Sequence, residues 1–166
     1  MAPTLRDQAI GPLSRDDAER LLPRLSIGRQ TIERRVLRAR CLKYLESFDV
    51  AWAELSELMA QVKDPMLRAR VAVDLVHLAY YLVRGDEVDK LTKAAQDRAA
   101  SDPLMLAELR LGRSINLTAA NDVTGALTEA RWAEDALAAA PRGRSRDLVM
   151  TRLQRQLAHL LSHAAD

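Results

Sequence analysis

Few side chains in this 166-residue sequence are of the types that carry out catalysis or bind metals. The candidates are a single cysteine, Cys41, and three histidines, His77, His159 and His163. A thiol beside an imidazole can act as a nucleophile, and His159 and His163 share the spacing of two zinc ligands on a helix. No Glu or Cys accompanies that pair at ligand spacing, and Cys41 lies in an apolar helical pattern typical of packing. The sequence therefore predicts no catalytic centre, no metal site and no cofactor, and the protein is expected not to be an enzyme.

The charges of the chain are distributed unevenly. Residues 20–43 hold eight basic side chains against Glu33 alone, and residues 142–155 hold five arginines against Asp147. Residues 44–141 hold 16 acidic and 10 basic side chains. Two basic ends thus flank an acidic middle, and this complementarity makes homo-oligomerisation one expectation.

The composition is that of a soluble chain with a small-residue core. Hydrophobic residues make up 48% of the sequence and aromatic residues only 4%, so Leu, Ala and Val must form most of the core. No apolar run approaches the roughly 18 residues of a membrane helix, and the first residues lack the apolar stretch of a signal peptide. We therefore expect a cytoplasmic protein that does not contact membranes.

Three prolines, Pro65, Pro103 and Pro141, stand 38 residues apart, and the first two follow an aspartate. Between them, apolar residues recur at spacings of three and four, the pattern of one helical face. This predicts helical hairpins, because proline is tolerated in a first helical turn and aspartate is a good N-cap. The predicted elements are an irregular segment 1–13, a short helix 15–24 capped by Ser14, hairpins 30–62, 66–100 and 104–139, and a last helix 145–164 capped by Ser145. Residues 14–166 are expected to form a single helical-repeat domain without strands.

Two stretches resemble tetratricopeptide repeats, in which small residues meet where the two helices of a hairpin cross. The first stretch contains Ala39, Leu42, Phe48 and Ala51. The second contains Leu111, Gly112, Ile115 and Ala126. The resemblance implies an all-α, right-handed superhelical stack of antiparallel hairpins, about eight helices in all, with the last helix as a cap. Longer, degenerate repeats of this kind are similar to modules of bacterial regulatory proteins that act as sensors or interaction scaffolds.

The resemblance further implies that the first helix of each hairpin lines a concave surface. The implied partner-binding residues are Arg40, Lys43, Tyr44, His77, Tyr80, Tyr81, Arg84, Arg113 and Asn116. Cations interleaved with aromatic rings suit an acidic peptide or a C-terminal carboxylate. The alternative interpretation is that the tyrosines are core residues and the arginines form a solvated face. The favoured function is a non-catalytic protein-interaction or scaffold module of a regulatory kind, with an acidic protein or peptide partner.

The Arg-rich segment 20–43 carries an alternative function. Its helix presents Arg29, Arg34, Arg35 and Arg38, and with the preceding helix it loosely resembles a helix-turn-helix. Such arginines could contact phosphates in a nucleic-acid-binding or transcription-regulating protein. Alternatively, they form ion pairs with acidic residues of the neighbouring hairpins.

Overall fold

The computed structural model describes residues 4–163, without the side chain of residue 163, and this part of the chain is all-α. Its helices are α1 Leu5–Ile10, α2 Arg15–Leu25, α3 Ile32–Tyr44, α4 Phe48–Gln61, α5 Pro65–Tyr81, a 3-10 turn Gly85–Glu87, α6 Val88–Ala99, α7 Pro103–Ala119, α8 Val123–Ala139 and α9 Arg144–His163. The predicted all-α class is confirmed. Within the described residues, no helix is both long and apolar enough to cross a bilayer.

The two Asp-Pro pairs begin helices as predicted. The Asp64 carboxylate accepts hydrogen bonds from the backbone N–H of Met66 at 2.9 Å and of Leu67 at 3.3 Å. Asp102 accepts the corresponding two bonds at the start of α7. Each aspartate thereby satisfies N–H groups that have no partner within the helix, and the following proline has no N–H to satisfy.

The first helix of each hairpin ends in the same way. Glu46, Val83 and Asn121 have φ of 65°, 54° and 62°, in the left-handed region. The next residue in each case donates its backbone N–H to a carbonyl five residues earlier, over 2.8–2.9 Å. This is the Schellman arrangement, which satisfies the last carbonyls of a helix. The same C-terminal motif therefore ends α3, α5 and α7.

Small residues allow α5 and α7 to approach closely. A Cβ at Gly112 would lie 3.0 Å from Val76 Cγ1 and 3.1 Å from the His77 ring. Asn116 ties the same helices by donating to the Val76 carbonyl at 2.9 Å. Ala39 and Ala126, also predicted at close contacts, are fully buried.

Two predictions at the chain ends are wrong. Residues 5–10, expected to be irregular, form α1, because Thr4 and Asp7 build a capping box and Ala9 is buried against the core. Ser145, expected to cap the last helix, lies inside α9, which begins at Arg144. Residues 1–3 of the predicted irregular segment, and residue 164 of the predicted last helix, lie outside the described part of the chain.

The last helix reaches beyond the final hairpin. It packs on α7 and α8, where Gln156 donates to the Thr118 hydroxyl at 2.8 Å. It also contacts the beginning of the chain: Arg144 pairs with Asp17 of α2 at 3.1 Å, and Arg152 donates to the Leu13 carbonyl. α9 therefore connects the last hairpin to the first helices.

The helix end at Val83 offers a test of backbone strain. The left-handed region is unfavourable for a β-branched residue and tolerable for asparagine. Val83 is 91% exposed, so its side chain contributes little burial. We expect Val83→Asn to raise the free energy of unfolding by about 1 kcal/mol, measured by denaturant titration.

The matched control uses the corresponding position of the next hairpin. Asn121→Val, which introduces the strain that the first variant removes, should lower stability by a similar amount. Changes of the same sign in both variants would contradict the assignment of strain to Val83.

Candidate ligand-binding cleft

A buried carboxylate joins α3 to α5. Asp74 is fully buried and accepts from Arg40 Nε at 2.6 Å and from the Lys43 ammonium. The Arg40 guanidinium, also fully buried, donates through Nη1 to the carbonyls of Ala9 at 2.7 Å and Gly11 at 2.9 Å. One arginine therefore holds the N-terminal segment, α3 and α5 together.

A second buried carboxylate joins α5, α7 and α9. Glu108 pairs with Arg70 of α5 through one oxygen and lies 3.4 Å from Arg152 Nη1 through the other. Arg152 also donates to the Tyr44 hydroxyl at 3.0 Å. We call the six charged groups of these two assemblies the buried ionic cluster: Arg40, Lys43, Arg70, Arg152, Asp74 and Glu108.

The cluster contains four cations and two carboxylates. Burial alone would raise the pKa of Glu108, but the charges of Arg70 and Arg152 outweigh it and lower the pKa to about 2. Burial opposes ionisation of Asp74 in the same way, and Arg40 and Lys43 lower its pKa far below the usual range. Both carboxylates are therefore ionised at neutral pH, and the cluster carries two excess positive charges.

Acceptors are correspondingly scarce around the arginines. Within the described residues, Arg40 Nη2 and the Nε and Nη1 atoms of Arg70 are buried without a hydrogen-bond partner. The neighbouring imidazole adds no charge, because burial and the charge of Lys43 lower the pKa of His77 to about 4. Its Nε2 lies 2.7 Å from the Glu108 carbonyl oxygen, which fixes Nε2 as the protonated nitrogen.

The cluster opens to solvent through a cleft of about 420 Å³ between α9 and the helices α3 and α5. Its charged lining residues are Arg15, Lys43, Arg152, Arg155 and Glu46. Its aromatic wall is formed by Tyr44 and by the rings of Phe48 and Tyr81, which stack with centroids 4.2 Å apart. The cleft thus combines excess positive charge with flat apolar surface.

The cations of the cleft differ in how far they are already paired. Arg15 bonds Glu46 at 3.0 Å and Glu19 at 3.3 Å, both on the surface. Arg155 is exposed and makes no ion pair with the described residues. Lys43 uses one N–H on Asp74, which leaves two ammonium donors at the edge of the cleft.

An apolar hollow of about 560 Å³ adjoins the cleft. It lies between the C-terminal ends of α5 and α7, and its lining includes Tyr80, Val83, Asn116, Ala119 and Ala120. Tyr81 borders both spaces. The cleft and the hollow therefore adjoin each other at Tyr81.

The structure brings most of the predicted partner-binding residues to this surface. Those in the cleft are Lys43, Tyr44, His77 and Tyr81. Those at the hollow are Tyr80, Tyr81 and Asn116. Asn116 is also engaged in helix packing, since its amide donates to the Val76 and Gly112 carbonyls.

Three predicted residues lie elsewhere. Arg40 was expected on an accessible concave surface, and this prediction is wrong because the side chain is fully buried. Its guanidinium pairs with Asp74 and donates to carbonyls of the N-terminal segment. Arg84 packs its guanidinium 4.9 Å over the Trp52 ring, and Arg113 pairs with Glu129 at 2.7 Å. Neither Arg84 nor Arg113 lines the cleft or the hollow.

The Arg-rich segment is largely engaged in contacts within the chain. Arg34 donates to carbonyls at the end of α2. Arg35 bonds Glu57 at 3.0 Å, and Arg38 bonds Glu54. Among the described residues, Arg29 alone of the four candidates for nucleic-acid contact has no side-chain partner.

The contribution of α9 to the cleft was not predicted from the sequence. Leu148, Thr151, Arg152 and Arg155 line one side of it. Their spacings of three and four place them on one helical face, a signal present in the sequence. The sequence does not show that this face turns back towards α3.

The chemistry of the remaining candidates is limited. Among the described residues, no three His, Cys, Asp or Glu side chains are grouped so that they could hold a metal ion. Of the two histidines with zinc-ligand spacing, His159 and His163, the side chain of the second lies outside the described residues. Cys41 is fully buried, and burial raises the pKa of its thiol to about 11.

We expect Cys41 to be unreactive in the folded protein. At pH 7.5 the thiolate fraction is minute and the sulfur is inaccessible, so iodoacetamide should not modify native protein within an hour. Modification should go to completion in guanidinium chloride, which serves as the positive control. Rapid labelling of the native protein, followed by mass spectrometry, would show that the site opens.

In comparisons with protein-family models, curated proteins and solved structures, none matched this chain.

Proposed function

We propose that the protein is a non-catalytic interaction module whose cleft binds an acidic segment of a protein partner. The observation that carries the proposal is the excess positive charge of the buried ionic cluster where it opens into the cleft. Uncompensated buried charge is costly, and a bound carboxylate would offset part of that cost. Binding an anion there is therefore favoured over binding a neutral or cationic group.

The composition of the cleft supports a protein partner. Its aromatic wall offers stacking surface for a peptide chain, and Lys43 and Arg155 retain donors for carboxylates. Tyrosine and arginine are common anchors of protein interfaces. A non-catalytic role fits this arrangement, because the carboxylates of Asp74 and Glu108 are held in ion pairs and the His77 ring is held in a hydrogen bond.

The basic ends and acidic middle of the chain also pair internally. Arg35 with Glu57, Arg38 with Glu54 and Arg152 with Glu108 are such pairs. Some of the charges that could pair with a second copy are therefore already paired within each chain. This supports a different protein, rather than a second copy, as the partner.

The experiment is selection of a random-peptide phage library on the immobilised protein. We expect peptides enriched in Asp and Glu, with an affinity that falls as salt rises. Arg155→Glu should weaken an enriched peptide about tenfold, the effect of roughly 1.4 kcal/mol. Arg131→Glu, the same charge change at an exposed residue outside the cleft, should leave the affinity unchanged.

Two results would contradict the proposal. One is selection without enrichment of acidic residues, and the other is equal loss of affinity in both variants. Binding of labelled duplex DNA or RNA, steeply dependent on salt and reduced by Arg29→Glu, would instead favour the nucleic-acid function.

A further inference from the structure

The hollow beside the cleft is lined by exposed apolar groups. Val83 is 91% exposed, although its φ of 54° is unfavourable for a β-branched side chain. Tyr80 and Tyr81 are 42% and 54% exposed beside it. The two rings meet edge to face with centroids 5.0 Å apart, which holds them in a defined arrangement.

These groups surround a concave space rather than standing singly on the surface. The lining also includes Ala79, Ala119 and Ala120, whose small side chains leave room between the ends of α5 and α7. Concave surfaces lined with exposed aromatic rings are preferred positions for buried apolar anchors of a partner. Because Tyr81 also walls the cationic cleft, a ligand in the cleft lies next to the hollow.

We propose that the hollow binds an apolar side chain of the same partner segment whose acidic side chain occupies the cleft. This inference rests on the proposed function and adds a second determinant of specificity to it. Charge complementarity with the cleft fixes the partner as an acidic segment, and the hollow requires that segment to carry Leu, Ile, Met or Phe nearby. Because Tyr81 borders both spaces, the acidic and apolar positions should lie close together in the sequence of the partner, at a fixed spacing.

The test is a double-mutant cycle on an acidic peptide enriched in the library selection, measured by fluorescence anisotropy. Replacing the apolar residue of the peptide by Ala should weaken its binding to the wild-type protein about tenfold. The same replacement should have less than a twofold effect on binding to Val83→Asn or to Tyr80→Ala. Val83→Asn suits this experiment because it is expected to stabilise the fold, so its loss of binding cannot be attributed to unfolding.

The outcomes separate this inference from the proposed function. Enrichment of acidic residues without an apolar position at fixed spacing, or an equal effect of the peptide substitution in all three proteins, overturns the role of the hollow alone. A selection without acidic enrichment overturns both proposals. A concentration-dependent dimer in sedimentation equilibrium that Val83→Asn abolishes would identify the occupant of the hollow as a second copy and overturn the inference.

Discussion

Replacing Asp74 by Asn is expected to lower the free energy of unfolding by about 3–5 kcal/mol. Asp74 is the carboxylate between Arg40 and Lys43, both of which are buried. Removing its charge leaves two buried cations without their counter-ion, in a cluster that already carries excess positive charge. A loss of this size is a large fraction of the stability of a typical domain, and urea titration followed by circular dichroism measures it.

A matched control separates burial from the loss of one negative charge. Asp89→Asn makes the same chemical change at a side chain that is 85% exposed and 3.7 Å from Arg113, and should change stability by less than 1 kcal/mol. Adding Lys43→Met to Asp74→Asn should restore part of the loss, because it removes one of the unpaired cations. Equal effects of Asp74→Asn and Asp89→Asn would show that the cluster is not structurally important.

Stability is expected to fall as the pH drops from 6.5 to 4, by about 2–3 kcal/mol through His77. Burial and Lys43 lower the pKa of His77 to about 4 from an ordinary value of 6.5. Between these values the unfolded chain binds a proton that the folded protein does not, so acid favours unfolding. Below about pH 4.5 the lowered pKa of Glu108 adds to the loss, because its carboxylate is protonated first in the unfolded chain.

Urea titrations across this pH range test the assignment to His77. His77→Gln keeps a donor for the Glu108 carbonyl and should flatten the dependence between pH 6.5 and 4. His159→Gln, at an exposed position of α9, should leave it unchanged. Retention of the full slope in His77→Gln would place the titrating group elsewhere.

The sequence by itself determined the helices from α2 to α9 and their order. Apolar spacing and the Asp-Pro pairs act within a few residues, so the starts of α5 and α7 followed from local chemistry. A close helix approach at Gly112 was predicted within its own hairpin, whereas the structure places Val76 and His77 of α5 nearest to a Cβ at that position. The capping box of α1 was present in the sequence as Thr4 and Asp7. It was overlooked because Pro3 and Gly11 flank this short segment and indicate irregular structure.

The tertiary structure decided which charged residues are buried and which face of α9 turns inwards. An arginine in a helical pattern suggests solvent, yet Arg40 is buried because Asp74, 34 residues away, and the carbonyls of α1 surround it. Arg152 reaches the Leu13 carbonyl across 139 residues of sequence. Helical periodicity shows the faces that a segment possesses, but what covers each face depends on elements distant in sequence. The cleft and its excess charge exist only after α9 has packed on α7 and α8 and Arg152 has reached Tyr44 of α3.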